Sequence, residues 1–318
     1  MNFDLSDDQR TIKATARELL AARFSWDEVR RLAFEDERGF TDAQWSEVVE
    51  LGWPGIAVPE DQAGQGLGTV ELAVLAEEVG YAVAPTPLVS TWMCAQLLAA
   101  GGEAARLLDG GRRGAVDRWD GAAVPDAGSA DVLVSADRVT EEFTAERVES
   151  LDPTRPRFTV EAAGGEPLSG DLERAWRQVQ VVNAAESVGV AERAMDMAVA
   201  YAKERRQFGR PIGTYQAVSH PCAQMLLEVE GARSVVYWAA WALDHSPEEA
   251  PLAVACAAAY ALDAGRRVPR AALQVLGGIG FTWEHELQFL LKRGEANAHA
   301  WGSAVEARER VAALQLPA

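Results

Sequence analysis

The feature that most constrains this chain is a set of long helical segments in its second half. Apolar residues recur at helical spacing over about 174–205, 216–243 and 248–276, and a final pair of helices follows Trp283. Helices of this length bury their apolar stripes against each other. The pattern therefore predicts an antiparallel helical bundle.

The first half combines more helices with a short β-rich region. Residues 5–101 have a helical pattern interrupted by turn signals, and Ser6 is placed to cap the first helix. Runs typical of strands follow, notably 130–134 and 157–160. We therefore predict a mainly α protein. Its domains are an N-terminal helical domain at 1–106, a reduced β-rich middle domain at 107–170, and a C-terminal domain resembling a four-helix bundle at 171–318.

The charge of the chain excludes some classes of function. The 318 residues carry a formal net charge of −18, so the surface repels a nucleic acid backbone. Residues 1–20 lack the basic start and apolar stretch of a signal peptide, and no apolar run approaches the roughly 20 residues that cross a bilayer. We predict a cytoplasmic protein with no membrane span and no nucleic acid partner.

Cysteine and histidine give little support for a metal site. Cys94, Cys222 and Cys256 are far apart among apolar neighbours, which is typical of small core residues in a reducing compartment. The 4 histidines show no tight ligand spacing. We therefore predict that the protein binds no metal.

A glycine-rich loop lies at Gly64, Gly66 and Gly68. A phosphate-binding loop would need a following Lys-Ser/Thr pair and a strand-to-helix frame, and the sequence has neither. We expect a structural loop.

Two motifs in the second half carry a resemblance to a known family. Tyr-Ala-Lys-Glu-Arg-Arg-Gln-Phe-Gly-Arg-Pro-Ile stands at 201–212, and Gln-Val-Leu-Gly-Gly-Ile-Gly-Phe-Thr stands at 274–282. Both segments, their spacing and the helices between them closely resemble acyl-CoA dehydrogenases. The segments 51–60 and 72–78 resemble the same family, so the resemblance covers about 1–100 and 172–318 but not the middle.

The resemblance implies that the first motif contacts FAD bound mainly by a neighbouring subunit. Arg205 is placed to hold the cofactor's pyrophosphate, because a guanidinium forms charge-assisted, often paired hydrogen bonds with phosphate. Gln207 can donate a further hydrogen bond, and Phe208 offers a flat apolar surface. Ile212 and Tyr215 fall where further contacts on the flavin side occur in the family.

For Gln274, Gly277 and Gly278 the resemblance implies contact with the adenosine end of FAD. Glycine lets a backbone approach a ligand closely. The alternative is a glycine cap at the end of a helix, with no ligand. Beside the arginine motif, we favour the cofactor.

The family's catalytic base is missing from both of its usual places. The reaction removes an α-proton and a β-hydride from an acyl-CoA thioester, and it needs a carboxylate for the proton. Trp301 occupies the usual glutamate position, and the alternative position in the first long helix of the bundle holds Val179 and Gln180. We interpret Glu173 and Glu186, which flank it, as surface or interface carboxylates.

The middle region is also shorter than in the family, and the segments that cradle the flavin ring are not recognisable in it. Arg112, Arg113, Trp119 and Asp120 form the nearest aromatic and charged cluster, which we interpret as a loop.

Another catalytic possibility is the pair Glu284 and His285, but adjacent residues on a helix face different directions. We favour a helix N-cap at Thr282 and Glu284.

These absences point to a dissimilar partner subunit that supplies the cradle and the base. Such an assembly is similar to the heterotetrameric acyl-CoA dehydrogenases of actinobacteria that shorten steroid side chains. The resemblance thus implies FAD, an acyl-CoA substrate, and an electron-transferring flavoprotein as electron acceptor. The alternatives are a non-catalytic partner of a dehydrogenase, or a relative with non-redox lyase or hydratase chemistry.

Overall fold

The computed structural model describes residues 3–118 and 123–316. Within these residues the chain forms eleven α-helices and nine short strands, so the prediction of a mainly α protein is confirmed. The helices are α1 (Asp7–Arg23), α2 (Trp26–Glu35), α3 (Asp42–Glu50), α4 (Thr69–Ala82), α5 (Leu88–Ala100), α6 (Ala105–Leu108), α7 (Leu172–Glu204), α8 (Gln216–His245), α9 (Ala250–Leu276), α10 (Leu287–Ala300) and α11 (Ala304–Gln315). The strands are β1 (Gly114–Asp117), β2 (Val124–Pro125), β3 (Val132–Ser135), β4 (Arg138–Thr140), β5 (Phe143–Val148), β6 (Arg157–Ala162), β7 (Glu166–Pro167), β8 (Arg206–Gln207) and β9 (Arg210–Pro211).

The N-terminal helices begin where local capping predicts. The Ser6 side chain accepts from the Gln9 N–H, and the Gln9 side chain accepts in return from the Ser6 N–H. Asp7 and Asp8 lie in the first turn, where carboxylates interact favourably with the helix dipole. The prediction that Ser6 caps α1 is confirmed.

The glycine loop before α4 packs closely against the chain. A Cβ built on Gly64 would lie 2.0 Å from the carbonyl oxygen of Val58, and Gly66 has a φ of 66°. Gly64 therefore has no room for a side chain, and Gly66 has a left-handed backbone that favours glycine. This geometry agrees with the expectation of a structural loop.

The middle of the chain forms two small sheets. One has the order β1-β3-β4-β7, with β1 parallel to β3, and the other has the order β2-β6-β5. The two runs that predicted strands lie in β3 and β6. Apolar side chains of the β-rich middle fill a small core of their own, which includes Leu133 and Phe158.

The second half forms the predicted bundle, with α7, α8 and α9 within a few residues of the predicted segments. Arg267 of α9 donates to Glu228 of α8 at 3.0 Å, and Gly231 of α8 lies against Tyr260 of α9. Since the residue numbers rise along one helix as they fall along the other, the two helices are antiparallel.

A close crossing joins α4 of the N-terminal half to α7 of the bundle. A Cβ built on Gly189 would lie 1.8 Å from the carbonyl oxygen of Glu77, and one built on Gly80 would lie 2.1 Å from that of Glu186. The two glycines therefore allow the backbones to touch in both directions. This contact places α4 against the centre of the bundle.

Ion pairs fix α1 to the same crossing. Lys13 and Arg17 of α1 pair with the buried carboxylates of Glu77 and Glu78 on α4. Glu77 also accepts a hydrogen bond from the hydroxyl of Tyr237 at 2.8 Å. Burial alone would disfavour the charged form of Glu77, but Lys13 and its other hydrogen-bonded partners outweigh burial and lower its pKa.

Among the described residues, no helix is long and apolar enough to cross a membrane. Cys94 is buried, and burial raises the pKa of its thiol to about 12. Cys222 and Cys256 are half-buried, so only Cys94 is the core residue that the sequence predicts.

Candidate functional site

The first predicted site residues lie in a hairpin between α7 and α8. The chain leaves α7 at Arg205, whose backbone is extended, and turns back through β8 and β9. The two residues at the tip, Phe208 and Gly209, have φ values of 50° and 83°. A turn with both central residues in the left-handed region matches the twist of a tight hairpin, although it is strained for phenylalanine.

Contacts within the hairpin bring the predicted residues together. The N–H of Ile212 donates to the carbonyl oxygen of Arg205 at 2.8 Å, and the hydroxyl of Tyr215 donates to that of Gln207 at 3.1 Å. The ring of Tyr215 packs edge-on to Phe208, with 6.4 Å between ring centroids. Five predicted residues therefore form one continuous surface.

This surface is exposed and positively charged. Phe208 is 93% exposed. In the described part of the chain, Arg205, Arg206 and Arg210 form no ion pair, although Arg210 lies 4.1 Å above the ring of Tyr215. Exposed guanidiniums without carboxylate partners are suited to binding an anion.

The second predicted group lies at the end of α9. Gln274 is exposed, and Gly277 caps the helix with a φ of 62°, its N–H donating to the carbonyl oxygen of Leu273. A Cβ built on Gly277 or Gly278 would meet nothing within 4 Å. The cap geometry explains Gly277 without a ligand, whereas no intramolecular contact explains Gly278.

The antiparallel packing of α8 and α9 places this group and the hairpin at the same end of the bundle. The described residues show no hydrogen bond or ring contact between the two groups. Apolar side chains are exposed beside the second group, with Phe281 72% and Trp283 62% exposed. Exposed aromatic side chains of this kind are typical of an interface with another protein.

Trp301 lies at a separate cavity. It ends α10, is 1% exposed, and is followed by Gly302, which has a φ of 132°. Ser303 then caps α11: its hydroxyl oxygen accepts from the N–H of Glu306, and the Glu306 carboxylate accepts in return from the N–H of Ser303. This loop forms one wall of a cavity of about 390 Å³. The lining is Arg118, Glu173, Trp176, Arg177, Gln180, Asn183, Pro251, Val254, Ala255, Ala258, Leu262, Trp301, Gly302, Ser303, Glu306, Ala307 and Arg310.

The two positions at which the resemblance would place a base, Trp301 and Gln180, both line this cavity. A Cβ built on Gly302, the residue after Trp301, would lie 3.7 Å from the amide nitrogen of Gln180. Among the described residues, two carboxylates line the cavity, and both have partners. Glu173 pairs with Arg177, and Glu306 accepts from the N–H of Ser303 at 2.8 Å.

Glu186 corrects one of the sequence interpretations. It is not a surface or interface carboxylate but is fully buried, with 0% exposure. The two terminal guanidinium nitrogens of Arg155 donate to it, at 2.6 and 2.9 Å, and Arg293 donates at 2.7 Å. Asn297 donates at 3.1 Å. The buried charge of Glu186 is tolerated because two arginines pair with it and an amide adds a further hydrogen bond. Glu173 is exposed, as predicted.

Asp152 completes this buried cluster, in which it pairs with Arg293 and accepts from the backbone N–H of Thr154 at 2.9 Å. Burial opposes the ionised forms of Asp152 and Glu186, but Arg293 and Arg155 outweigh it and hold the pKa of each carboxyl below its usual value. The cluster lies beside Trp301, whose ring is 5.9 Å from the guanidinium carbon of Arg155.

The predicted cap at Thr282 and Glu284 is wrong. The helix begins later, at Leu287, whose N–H donates to Nδ1 of His285 at 3.1 Å. The hydroxyl of Thr282 donates to the carbonyl oxygen of Ile279. The described residues show no contact between the side chains of Glu284 and His285.

Two of the four residues that we interpreted as a loop, Arg112 and Arg113, lie within the described residues. Arg112 and Arg113 precede β1 outside any regular element, and they pair with Glu141 and Asp131. Trp119 and Asp120 lie outside the described residues. Among the described residues, no group of histidine, cysteine and acidic side chains could hold a metal ion.

Comparison with known proteins gives consistent likenesses. The family model described as "Acyl-CoA dehydrogenase, N-terminal domain" matches residues 6–106, and "Acyl-CoA dehydrogenase, C-terminal domain" matches residues 168–313. Acyl-CoA dehydrogenase IpdE2 of Mycolicibacterium smegmatis is 32% identical over 317 residues, which cover 97% of this chain and 99% of that protein. The short middle region is therefore compatible with a full-length relative.

Two solved structures have the same fold. The "Tcur3481-Tcur3483 steroid ACAD G363A variant" is 26% identical with a TM-score of 0.85, and the alignment covers 97% of each chain. The ChsE4-ChsE5 complex from Mycobacterium tuberculosis is 22% identical with a TM-score of 0.88, and the alignment covers 100% of this chain and 100% of the matched chain.

Proposed function

The chain belongs to the acyl-CoA dehydrogenase family of oxidoreductases, and from this premise we propose that it is one subunit of an FAD-dependent enzyme that shares its cofactor site with a dissimilar partner. The reaction would introduce a trans-2,3 double bond into an acyl-CoA thioester. We further propose the division into domains at 1–106, 107–170 and 171–318, which agrees with the two matched family ranges.

The observation that carries this proposal is the exposed hairpin with unpaired arginines. Arg205 has a free guanidinium at the end of α7, and Gln207 lies beside it with an exposed side chain. A pyrophosphate supplies the anionic oxygens that these donors lack within the described residues. Phe208, Ile212 and Tyr215 form the aromatic and apolar part of the same surface.

The end of α9 fits the other end of the cofactor. The open space around Gly277 and Gly278 leaves room for an adenosine group to lie against the backbone, and the exposed Gln274 amide can hydrogen-bond to it. FAD, when bound, supplies the acceptor for the hydride that leaves the substrate. Electrons would then pass to an electron-transferring flavoprotein.

The partner is proposed because no described residue at this cavity offers a free base. Trp301 and Gln180 cannot take an α-proton, and Glu173 and Glu306 are already paired. The exposed aromatic residues Phe208, Phe281 and Trp283 are suited to burial against a second subunit. The structurally similar Tcur3481-Tcur3483 protein is named as a pair, which supports a heteromer.

The name of the Tcur3481-Tcur3483 protein includes the word steroid, and we propose steroid acyl-CoA thioesters as one substrate class of this enzyme. The missing base supports a second candidate function as well, in which the chain is a non-catalytic partner that only completes the cofactor site. The two candidates differ in whether the substrate contacts this chain.

The test is to purify the chain alone and together with a candidate dehydrogenase partner subunit. We expect little visible flavin absorbance for the chain alone, and one FAD for each pair of unlike chains in the complex. A flavin-loaded homo-oligomer with dehydrogenase activity would overturn the shared site. A colourless complex would overturn the role of FAD.

A further inference from the structure

The loop that joins α9 to α10, residues 277–286, is poorly buried. It begins with Gly277 and Gly278, and every residue of the loop is described, yet only Gly280 is buried. The side chain of Trp283 is 62% exposed. A segment with so little burial opens easily, because few contacts are lost when it moves. The position of this loop therefore depends on residues outside it.

One side chain of α2 holds the loop by its backbone. Arg30 donates to two consecutive carbonyl oxygens, at 3.2 Å to that of Trp283 and at 2.9 Å to that of Glu284. The three residues are far apart along the chain, since 253 and 254 positions separate Arg30 from its acceptors. A guanidinium presents its donors in a rigid planar fork. Two such bonds therefore restrict both the distance and the direction of the loop backbone.

Ring contacts join α2 to the same loop. The ring centroid of Phe34 lies 6.2 Å from that of Trp283 and 6.0 Å from that of Phe289 on α10. The guanidinium carbon of Arg30 lies 5.5 Å from the centroid of the Phe289 ring. Lys292 places its ammonium group 4.2 Å from the centroid of the Trp283 ring, a distance at which a cation is attracted to an aromatic face. Trp283 is therefore held by its ring as well as by its carbonyl oxygen.

The helix that carries Arg30 is itself fixed in the core. Val29, Leu32 and Ala33 of α2 are buried in the main hydrophobic cluster. Trp26 stacks on Phe289, with 6.3 Å between ring centroids and 12° between ring planes. A helix with close-packed side chains moves little. It can therefore act as a support for an exposed loop.

We infer that Arg30 is a positioning residue for the proposed cofactor site. By holding the loop at Trp283 and Glu284, it keeps the backbone at Gly277 and Gly278 in place for the adenosine end of FAD. The N-terminal helices thus contribute to binding a cofactor whose proposed contacts lie in the second half of this chain. This inference rests on the proposed function for the identity of the ligand.

The test compares Arg30→Met with the wild type in two measurements. Hydrogen exchange of the full flavin-free chain, read by mass spectrometry of its peptides, should become faster in 277–286 and stay unchanged in α7, α8 and α9. The dissociation constant of FAD, measured by flavin fluorescence on the reconstituted complex, should rise about three- to tenfold, as expected when one net hydrogen bond is lost.

The matched control is Arg31→Met, the same substitution on the same helix. Among the described residues, the side chain of Arg31 hydrogen-bonds only to Glu28, also on α2. This variant should leave the exchange of the loop and the dissociation constant of FAD unchanged. The hydrogen bonds of Arg30 are exposed, so the thermal midpoints of both variants should stay near that of the wild type.

An unchanged dissociation constant of FAD in Arg30→Met would overturn the inference, and so would unchanged exchange in 277–286. A lower thermal midpoint with faster exchange throughout the bundle would overturn it as well, because Arg30 would then only stabilise the fold. A wild-type complex that holds no flavin would contradict the proposed function and the inference with it. That outcome is distinguishable, because it concerns the wild type and not the variant.

Discussion

Gly189 of α7 lies directly against the main-chain oxygen of Glu77 of α4, so close that a Cβ at this glycine would lie 1.8 Å from that oxygen. One turn away, Gly80 makes the reciprocal approach to Glu186. The side chains of Glu77 and Glu186 extend from this crossing into two separate groups of cations. This close helix contact and two of the buried carboxylates therefore involve the same few residues.

The first prediction concerns this crossing. Gly189→Ala should lower the free energy of unfolding by about 1–3 kcal/mol or more, because the methyl group meets backbone atoms that can move only if the helices separate. Urea unfolding of the flavin-free chain measures the change. The control is Gly278→Ala, where a Cβ meets nothing within 4 Å, and its midpoint should hardly move. Equal stability of the Gly189 variant would show that the helices are not in this close contact.

The second prediction concerns the buried cluster. Arg293→Met should lower the free energy of unfolding by about 3–5 kcal/mol, because it leaves Asp152 and Glu186 without a shared cation in the interior. Arg10→Met, which breaks the exposed pair with Asp7, should cost less than about 1 kcal/mol. Denaturant unfolding compares the two variants. Similar losses for both would contradict the buried network.

The third prediction is a dependence of stability on pH. The pKa of Glu186 and of Asp152 is lowered in the folded protein, since their arginine partners outweigh burial. Their contribution to stability is therefore fully present above the unfolded pKa of about 4, and it is lost as the pH falls through the lower folded values. Unfolding measured from pH 7 to pH 3 should show this decline. Stability that stays constant over this range would count against it.

The fourth prediction uses a carboxyl group with the opposite shift. Burial raises the pKa of Asp126, although Arg155 and the hydroxyl of Ser90 oppose the shift. The charged form is therefore less favourable in the fold, and the cost is present at neutral pH. Asp126→Asn should leave stability at pH 7 unchanged or higher, and asparagine suits the φ of 59°. A large loss of stability at pH 7 would show that the charge itself is needed.

The fifth prediction concerns the hairpin. Arg205→Ala should weaken FAD retention by the complex roughly 10- to 100-fold, the effect of losing a charged hydrogen bond of about 1.5–3 kcal/mol. The measurement is flavin absorbance after dialysis. Arg308→Ala, which removes an exposed arginine paired with Asp263, is the control and should retain the cofactor. Retention that is unchanged in the Arg205 variant would remove this residue from the site.

The helices and strands could be predicted because their signals are local. The apolar period predicted α7, α8 and α9, and the reciprocal bonds of Ser6 and Gln9 depend on neighbouring residues. The cap at Thr282 was wrong because the hydroxyl bonds backward to Ile279, and α10 begins only at Leu287. The preference of threonine for turns and caps does not by itself decide whether its side chain bonds backward to Ile279 or caps the helix that follows.

The role of Glu186 could not be predicted because its partners are distant in sequence. Arg155 and Arg293 lie 31 and 107 positions away from it. One signal was present, since Glu186 is a lone carboxylate within a stretch of small and apolar residues in α7. A charge in such a stretch indicates either a buried pair or an active site. The sequence likewise could not show that Trp301 and Gln180 line the same cavity, because they are far apart along the chain.

The buried cluster draws on the middle of the chain through Asp152 and Arg155, on α7 through Glu186, and on α10 through Arg293. A fragment that begins at Leu172 would keep Glu186 and Arg293 but lose Asp152 and Arg155. The hydrogen bonds that these two residues supply would then be missing in the interior. We therefore expect that the three predicted domains do not fold independently. Heating should melt them together, in one cooperative transition.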